Sequence, residues 1–180
     1  MEKKLKYRPN IDGLRGIAVL LVLLYHFEKV FFNTNYFQGG YIGVDIFFVI
    51  SGYLISTIIF TELKTTSNFS FKNFYIRRAK RILPVLGIVL IFSLILSFFL
   101  FIPEKFDITF GSATSSWFFF SNFFFWKQLS TYHAEESINL PLLHTWSLSV
   151  EEQFYILFPL LTIILYKYFK KYFGFIILII

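Results

Sequence analysis

Residues 13–27 read GLRGIAVLLVLLYHF: an arginine opens an apolar run, and a histidine sits eleven residues further on. A run this apolar is suited to lipid, where ionisable side chains are costly and mark function by default. The rest of the composition agrees. Of 180 residues, 56% are hydrophobic and 23% aromatic, including 27 phenylalanines, and only 16% are charged. Soluble domains carry about 25% charged residues. The charges are clustered, with long uncharged stretches between basic groups, which implies an all-α polytopic transmembrane bundle. The chain has no cysteine, so disulfides, thiolate nucleophiles and cysteine-ligated metals are excluded. Its net charge of +6 does not point to nucleic acid, because the basic residues flank apolar spans and so set topology instead.

Four spans are predicted, at about Leu14–Phe32, Tyr41–Phe60, Pro84–Pro103 and Leu148–Tyr166. Each has about 19–20 residues, enough for a hydrocarbon core of about 30 Å. The first is not a cleaved signal peptide: no A-x-A-like site follows it, and Asp12, Arg15 and His26 bracket or interrupt it. Residues 106–126, FDITFGSATSSWFFFSNFFFW, are aromatic but broken by Gly111, Asn122 and several hydroxyl residues. They can span, re-enter or lie at the interface. Charge bias decides for a non-crossing segment. Four basic residues at the N-terminus, six in the loop 62–82, and Lys167, Lys170 and Lys171 in the tail all become cytoplasmic only if 104–147 stays outside. The final GFIILII reads as the start of another span, so the chain is expected to be the N-terminal piece of a longer protein.

On a helix, Arg15 and His26 lie about 20° from eclipsed and about 16 Å apart along the axis, with Asp12 about 40° to the other side of His26. That stripe faces a bundle interior or a water-filled cavity. It joins a cationic entrance to a group able to carry a proton, although a plain interhelical hydrogen bond at His26 and a positive-inside anchor at Arg15 remain the simpler reading. Asp45, near the start of the second span, is expected at a depth similar to His26, where its carboxylate would orient the imidazole. In the cytoplasmic loop, FYIRRAKRILP sets Arg78 and Arg81 one helical turn apart. Such a pair can clamp phosphates, or simply hold topology. The stretch LPLLHTWSLSVEEQFYILFP offers His144, Ser147, Glu151 and Glu152. One histidine with carboxylates is too little for a metal site, and none is expected; the spacing fits no nucleophile elbow. The stretch reads as a helix start, with Ser147 or Ser149 capping and the paired acids at its N-terminal end, or as a surface for a polar acceptor outside.

Four blocks in order, YRPNIDGLRGIAVLLVLLYHF, GGYIGVDIFFVISGYLIS, FYIRRAKRILP and LLHTWSLSVEEQFYILFP, closely resemble the acyltransferase 3 family of bacterial membrane proteins, which includes envelope-glycan O-acetylases. The resemblance implies about ten spans in a complete protein of the bacterial inner membrane with a cytoplasmic N-terminus, and in some members an added extracytoplasmic esterase-like domain. It implies transfer of an acyl group, usually acetyl, from cytoplasmic acyl-CoA to an envelope carbohydrate: O-antigen, capsule, exopolysaccharide or peptidoglycan. Acyl-CoA (acetyl-CoA by default) is then a donor substrate, with no bound cofactor. The expected roles follow: Arg15, Arg78 and Arg81 hold the CoA phosphates, and His26 acts as general base or transient acyl carrier. Asp45 orients His26, while Glu151 and Glu152, beside His144 and Ser147, face the acceptor. Two rival readings use the same residues: a proton-coupled transporter, with Asp12, Arg15, His26 and Asp45 as relay, and a catalytically silent scaffold.

Overall fold

The computed structural model describes residues 8–31, 36–131 and 140–168. The N-terminal lysines 3, 4 and 6, the tail lysines 170 and 171 and the apolar residues 174–180 lie outside the described residues. Every regular element among those described is helical, and the chain divides into two units, Met1–Phe69 and Ser70–Ile180. Among the described residues four helices are long and apolar enough to cross a membrane, as expected from the hydropathy.

In the first unit, α1 (Pro9–Phe31) is followed by a 3-10 turn (Gln38–Tyr41) and α2 (Ile42–Thr66). Pro9 opens α1 because a proline's missing N–H costs nothing in a first turn. The two helices meet through small residues. A Cβ built on Gly40 would lie 2.3 Å from the Leu21 carbonyl oxygen, and one on Gly43 would lie 2.4 Å from that of Ala18. Only glycine permits that backbone approach, the usual way helices associate where lipid supplies no hydrophobic drive. Rising numbers on α2 meet falling numbers on α1, so the pair is antiparallel. At its far end α2 stops on Ser67, whose φ of 56° is left-handed, with its N–H bonded to the Leu63 carbonyl.

The second unit begins with α3 (Phe71–Leu100), then α4 (Pro103–Trp117), α5 (Ser121–Thr131) and α6 (Thr145–Tyr168). Ser70 caps α3 by accepting from the Asn73 N–H at 3.4 Å. The helix starts thirteen residues before the apolar span read from the sequence, so the basic segment FYIRRAKR forms its first turns and Pro84 lies inside it. Hydropathy marks the lipid-suited part of a helix, and the polar turns that extend it are invisible to that measure.

Residues 106–126 form neither a span nor a loop. α4 and α5 have 15 and 11 residues, about 22 Å and about 16 Å long, too short to cross. They pack as a hairpin, with Gly111 against the Phe124 ring. Trp117, at the end of α4, reaches Gly87 of α3, about 20 Å back from Leu100 by helical rise. The hairpin therefore runs back along half of α3 and returns, the form of a re-entrant segment. At its tip Phe119 takes a left-handed φ of 57°, unusual for a bulky residue.

That broken backbone needs partners, because non-helical backbone at membrane depth is tolerated only when buried in protein or facing a water-filled cavity. One face of α6 supplies them at i, i+4 and i+8. Thr145 Oγ1 bonds Ser116 Oγ at 2.6 Å, Ser149 Oγ bonds Ser121 Oγ at 2.7 Å and accepts its N–H, and Gln153 Nε2 donates to the Phe119 carbonyl at 2.7 Å. Gln153 also exchanges two amide hydrogen bonds with Asn122. Apolar packing of Leu86 and Leu90 with Ala113, Phe125 and Leu142 completes the unit's core.

Candidate active site

Each unit carries part of the candidate chemistry, and each part is built on helix faces. In the first unit His26 is half-buried on α1. Its Nδ1 lies 2.8 Å from the carbonyl oxygen of Val22, one turn back. A carbonyl can only accept, so Nδ1 carries the proton and the lone pair of the neutral ring resides on Nε2. Tyr25 packs edge-on against the ring, with centroids 5.0 Å apart. Arg15 is also half-buried, and its guanidinium lies over the Phe47 ring at 5.9 Å. The helical stripe from Arg15 to His26 is thus formed as expected, about 16 Å long.

Asp45 departs from the expectation. The contacts of Gly40 with Leu21 and Tyr25, and of Gly43 with Ala18 and Val22, fix the register of the two helices. Asp45 then falls level with Ala18, about 12 Å along the axis from His26, and its side chain is exposed. Span ends judged from hydropathy put the two residues at one depth; glycine-mediated packing shifts them two turns apart. The Val22 carbonyl, and not Asp45, holds Nδ1.

Glu28 was not foreseen. It is 5% exposed and accepts the backbone N–H groups of Tyr36 and Phe37, the latter at 2.6 Å. Its carboxylate thereby ties the end of α1 to the turn that leads into α2. An acid at the end of an apolar run was the signal available for it.

In the second unit Arg78 and Arg81 share a helical turn but not an environment. Arg81 is exposed, as are Arg77 and Lys80. Arg78 is half-buried, with its guanidinium 3.6 Å above the Tyr155 ring and 5.1 Å from that of Phe74. Glu152 is 8% exposed and near enough for its charge to interact with that of Arg78. The charge bias had put these two residues on opposite sides of the membrane; the structure sets them at one level. One turn further along, the Tyr75 hydroxyl donates to the Ile156 carbonyl at 3.2 Å.

Ser147 and Ser149 do not cap α6, which already begins at Thr145. Ser147 donates to the His144 carbonyl at 3.1 Å, beside the exposed His144, and Ser149 is buried in the hairpin network. Glu151 and Glu152 accordingly sit in the second turn of the helix. Glu151 accepts the Tyr155 hydroxyl. Tyr155 thus joins Glu151 to the face on which Arg78 stacks, a role signalled only by its i+4 spacing from that acid.

The acyltransferase domain family matches residues 8–180. The chain is 39% identical over 166 residues to the peptidoglycan O-acetyltransferase OatA of Listeria monocytogenes, covering 92% of this chain and 26% of that protein. It is 41% identical over 159 residues to the putative peptidoglycan O-acetyltransferase YrhL of Bacillus subtilis, covering 88% and 24% respectively. A putative O-acetyltransferase of Staphylococcus aureus is 40% identical over 173 residues, 94% of this chain and 27% of that protein. The chain spans about a quarter of the length of these relatives. No solved structure matches it. With the family matched over nearly its whole length, and with helices built to cross a membrane, the chain belongs to the acyltransferase 3 family of membrane proteins.

Proposed function

We propose that this chain forms the N-terminal part of a membrane O-acyltransferase that moves an acetyl group from cytoplasmic acetyl-CoA to a hydroxyl of peptidoglycan. The observation that carries the reading is the tautomer of His26: Nδ1–H is held by the Val22 carbonyl, which leaves Nε2 as the basic nitrogen. That nitrogen can remove the proton of a sugar hydroxyl as its oxygen attacks the thioester carbonyl. The C–S bond then breaks, and the departing CoA thiolate takes up a proton. The same lone pair can instead accept the acetyl group first and pass it on. Arg15 is the donor anchor at the mouth of this stripe, and an extended pantetheine arm covers the about 16 Å between them. Arg81, exposed beside Arg77 and Lys80, suits the CoA phosphates. Peptidoglycan is favoured as acceptor over other envelope glycans because two of the relatives carry it in their names.

The test uses membranes containing the full-length protein, labelled acetyl-CoA and peptidoglycan. Wild type is compared with His26→Ala at matched protein levels. Label is expected on the glycan with wild type and not with the variant. Equal label from both would remove His26 from the chemistry, and uptake of a solute without any labelled glycan would favour transport.

A further inference from the structure

Two buried polar atoms in the second unit stand without a hydrogen-bond partner, and they are complementary. Arg78 Nε is a donor and Glu152 Oε1 an acceptor. Arg78 stacks on the Tyr155 ring at 3.6 Å, and Glu152 lies one turn before Tyr155 on α6. Glu152 is more than nine-tenths buried. Leaving such groups unpaired is destabilising, more so when charged, and the cost rises where no water competes. Nearly every other buried side-chain polar atom described in this unit is paired, down to the serines of the hairpin tip.

One unpaired N–H donor and one unpaired oxygen acceptor that are not bonded to each other together complement a secondary amide, which offers a single C=O and a single N–H on opposite edges. We infer that Arg78 and Glu152 form a subsite for a secondary amide of a substrate, Arg78 Nε–H donating to its carbonyl and Glu152 Oε1 accepting its N–H. Tyr155 holds the guanidinium flat so that Nε–H stays aimed inward, while the terminal nitrogens of Arg78 remain able to meet an anion. An ester, which has no N–H, cannot satisfy Glu152 Oε1, and a hydroxyl can serve both atoms only through a single oxygen. The subsite rests on the acyl-transfer reading for its choice of substrates, two of which carry the chemistry: the pantetheine arm of the donor and the N-acetyl group of an amino-sugar acceptor.

The experiment measures binding to the full-length protein in bilayer nanodiscs, so it does not depend on turnover. Donor probes are CoA and analogues in which one arm amide at a time is replaced by an ester. Acceptor probes are an N-acetylated glycan oligomer and its de-N-acetylated form. In the wild type, losing the relevant amide N–H is expected to weaken binding about tenfold or more. In Glu152→Leu that penalty disappears, because the acceptor for the N–H is gone. Glu152→Asp keeps the charge but withdraws the oxygen by one methylene, and is expected to shrink the penalty at least threefold should the leucine variant not assemble. A penalty abolished for the CoA pair assigns the subsite to the donor arm, and one abolished for the glycan pair assigns it to the acceptor. A wild-type penalty near unity for every pair, or one unchanged in both Glu152 variants, would overturn the amide subsite. Absence of labelled transfer by the wild type, with the penalty present there and abolished in Glu152→Leu, would instead strike the acyl-transfer reading alone.

Discussion

At the scale of single residues, the structure separates side chains that carry chemistry from those that hold the backbone for it. Glu28 is of the second kind. Its two carboxylate oxygens take the N–H groups of Tyr36 and Phe37, which open the turn before α2 and have no helical partner of their own. Glu28→Ala should cost about 1–3 kcal/mol, since it removes two hydrogen bonds to a buried carboxylate. Glu28→Gln keeps one acceptor and should cost less. Thermal unfolding in detergent, followed by helical circular dichroism, orders wild type above Gln above Ala. Equal melting of all three would mean the contacts add nothing to stability. His26 was legible as a candidate because an ionisable group in an apolar run is conspicuous. Its orienting partner was not, because a carbonyl one turn back on the same helix leaves no mark in the sequence. Asp45, a conspicuous residue at a plausible depth, drew that role instead.

At the scale of elements, the four long helices follow from hydropathy, yet their packing follows from details that hydropathy omits. Gly40 and Gly43 set the register of α1 on α2, and Ala18 is wholly buried between the helices. Gly43→Val pushes a branched side chain toward the Ala18 carbonyl, a backbone atom that can retreat only if the helices part. A loss of about 1–3 kcal/mol is expected, as for overpacking elsewhere. Gly16→Ala is the matched control: nothing lies within 4 Å of a Cβ built there, and alanine is the better helix former. It should leave the melting temperature unchanged or raise it, while Gly43→Val lowers it. A Gly43→Val protein as stable as wild type would show that the close approach is not required. The hairpin of α4 and α5 illustrates why residues 106–126 stayed ambiguous in the sequence. Their phenylalanines suit lipid and their serines suit water, and only the polar face of α6, Thr145, Ser149 and Gln153, shows which backbone groups those serines stand beside.

At the scale of the whole molecule, the depth of Glu152 and the non-crossing hairpin bear on one question, which side each segment meets. Flanking charge reads residues 106–126 as non-crossing, and neither helix there is long enough to span, but it also reads the stretch up to Ser147 as an outer loop. In the second unit the hairpin instead descends along half of α3, and α6 starts beside its tip, since Thr145 bonds Ser116 and Ser121. Arg78 then stacks on Tyr155, and Tyr75 bonds the Ile156 carbonyl, because α6 continues from that interior point alongside the first turns of α3, a relation that no tally of flanking charge contains. This arrangement makes a definite prediction about access. The chain has no cysteine, so single cysteines can report sidedness once any elsewhere in the full-length protein are replaced by serine. Lys105→Cys and Lys127→Cys, at the two open ends of the hairpin, should react with a membrane-impermeant maleimide from the same side of sealed vesicles. Lys72→Cys, at the start of α3, should react only from the other side, because α3 is about 45 Å long and its apolar length must cross. Phe119→Cys, at the tied tip, should resist the reagent from either side until the protein is unfolded. Labelling of Lys105→Cys and Lys127→Cys from opposite sides would mean that α4 and α5 together traverse the bilayer, and α6 would then have to start on the face opposite to the one its partners at the hairpin tip require.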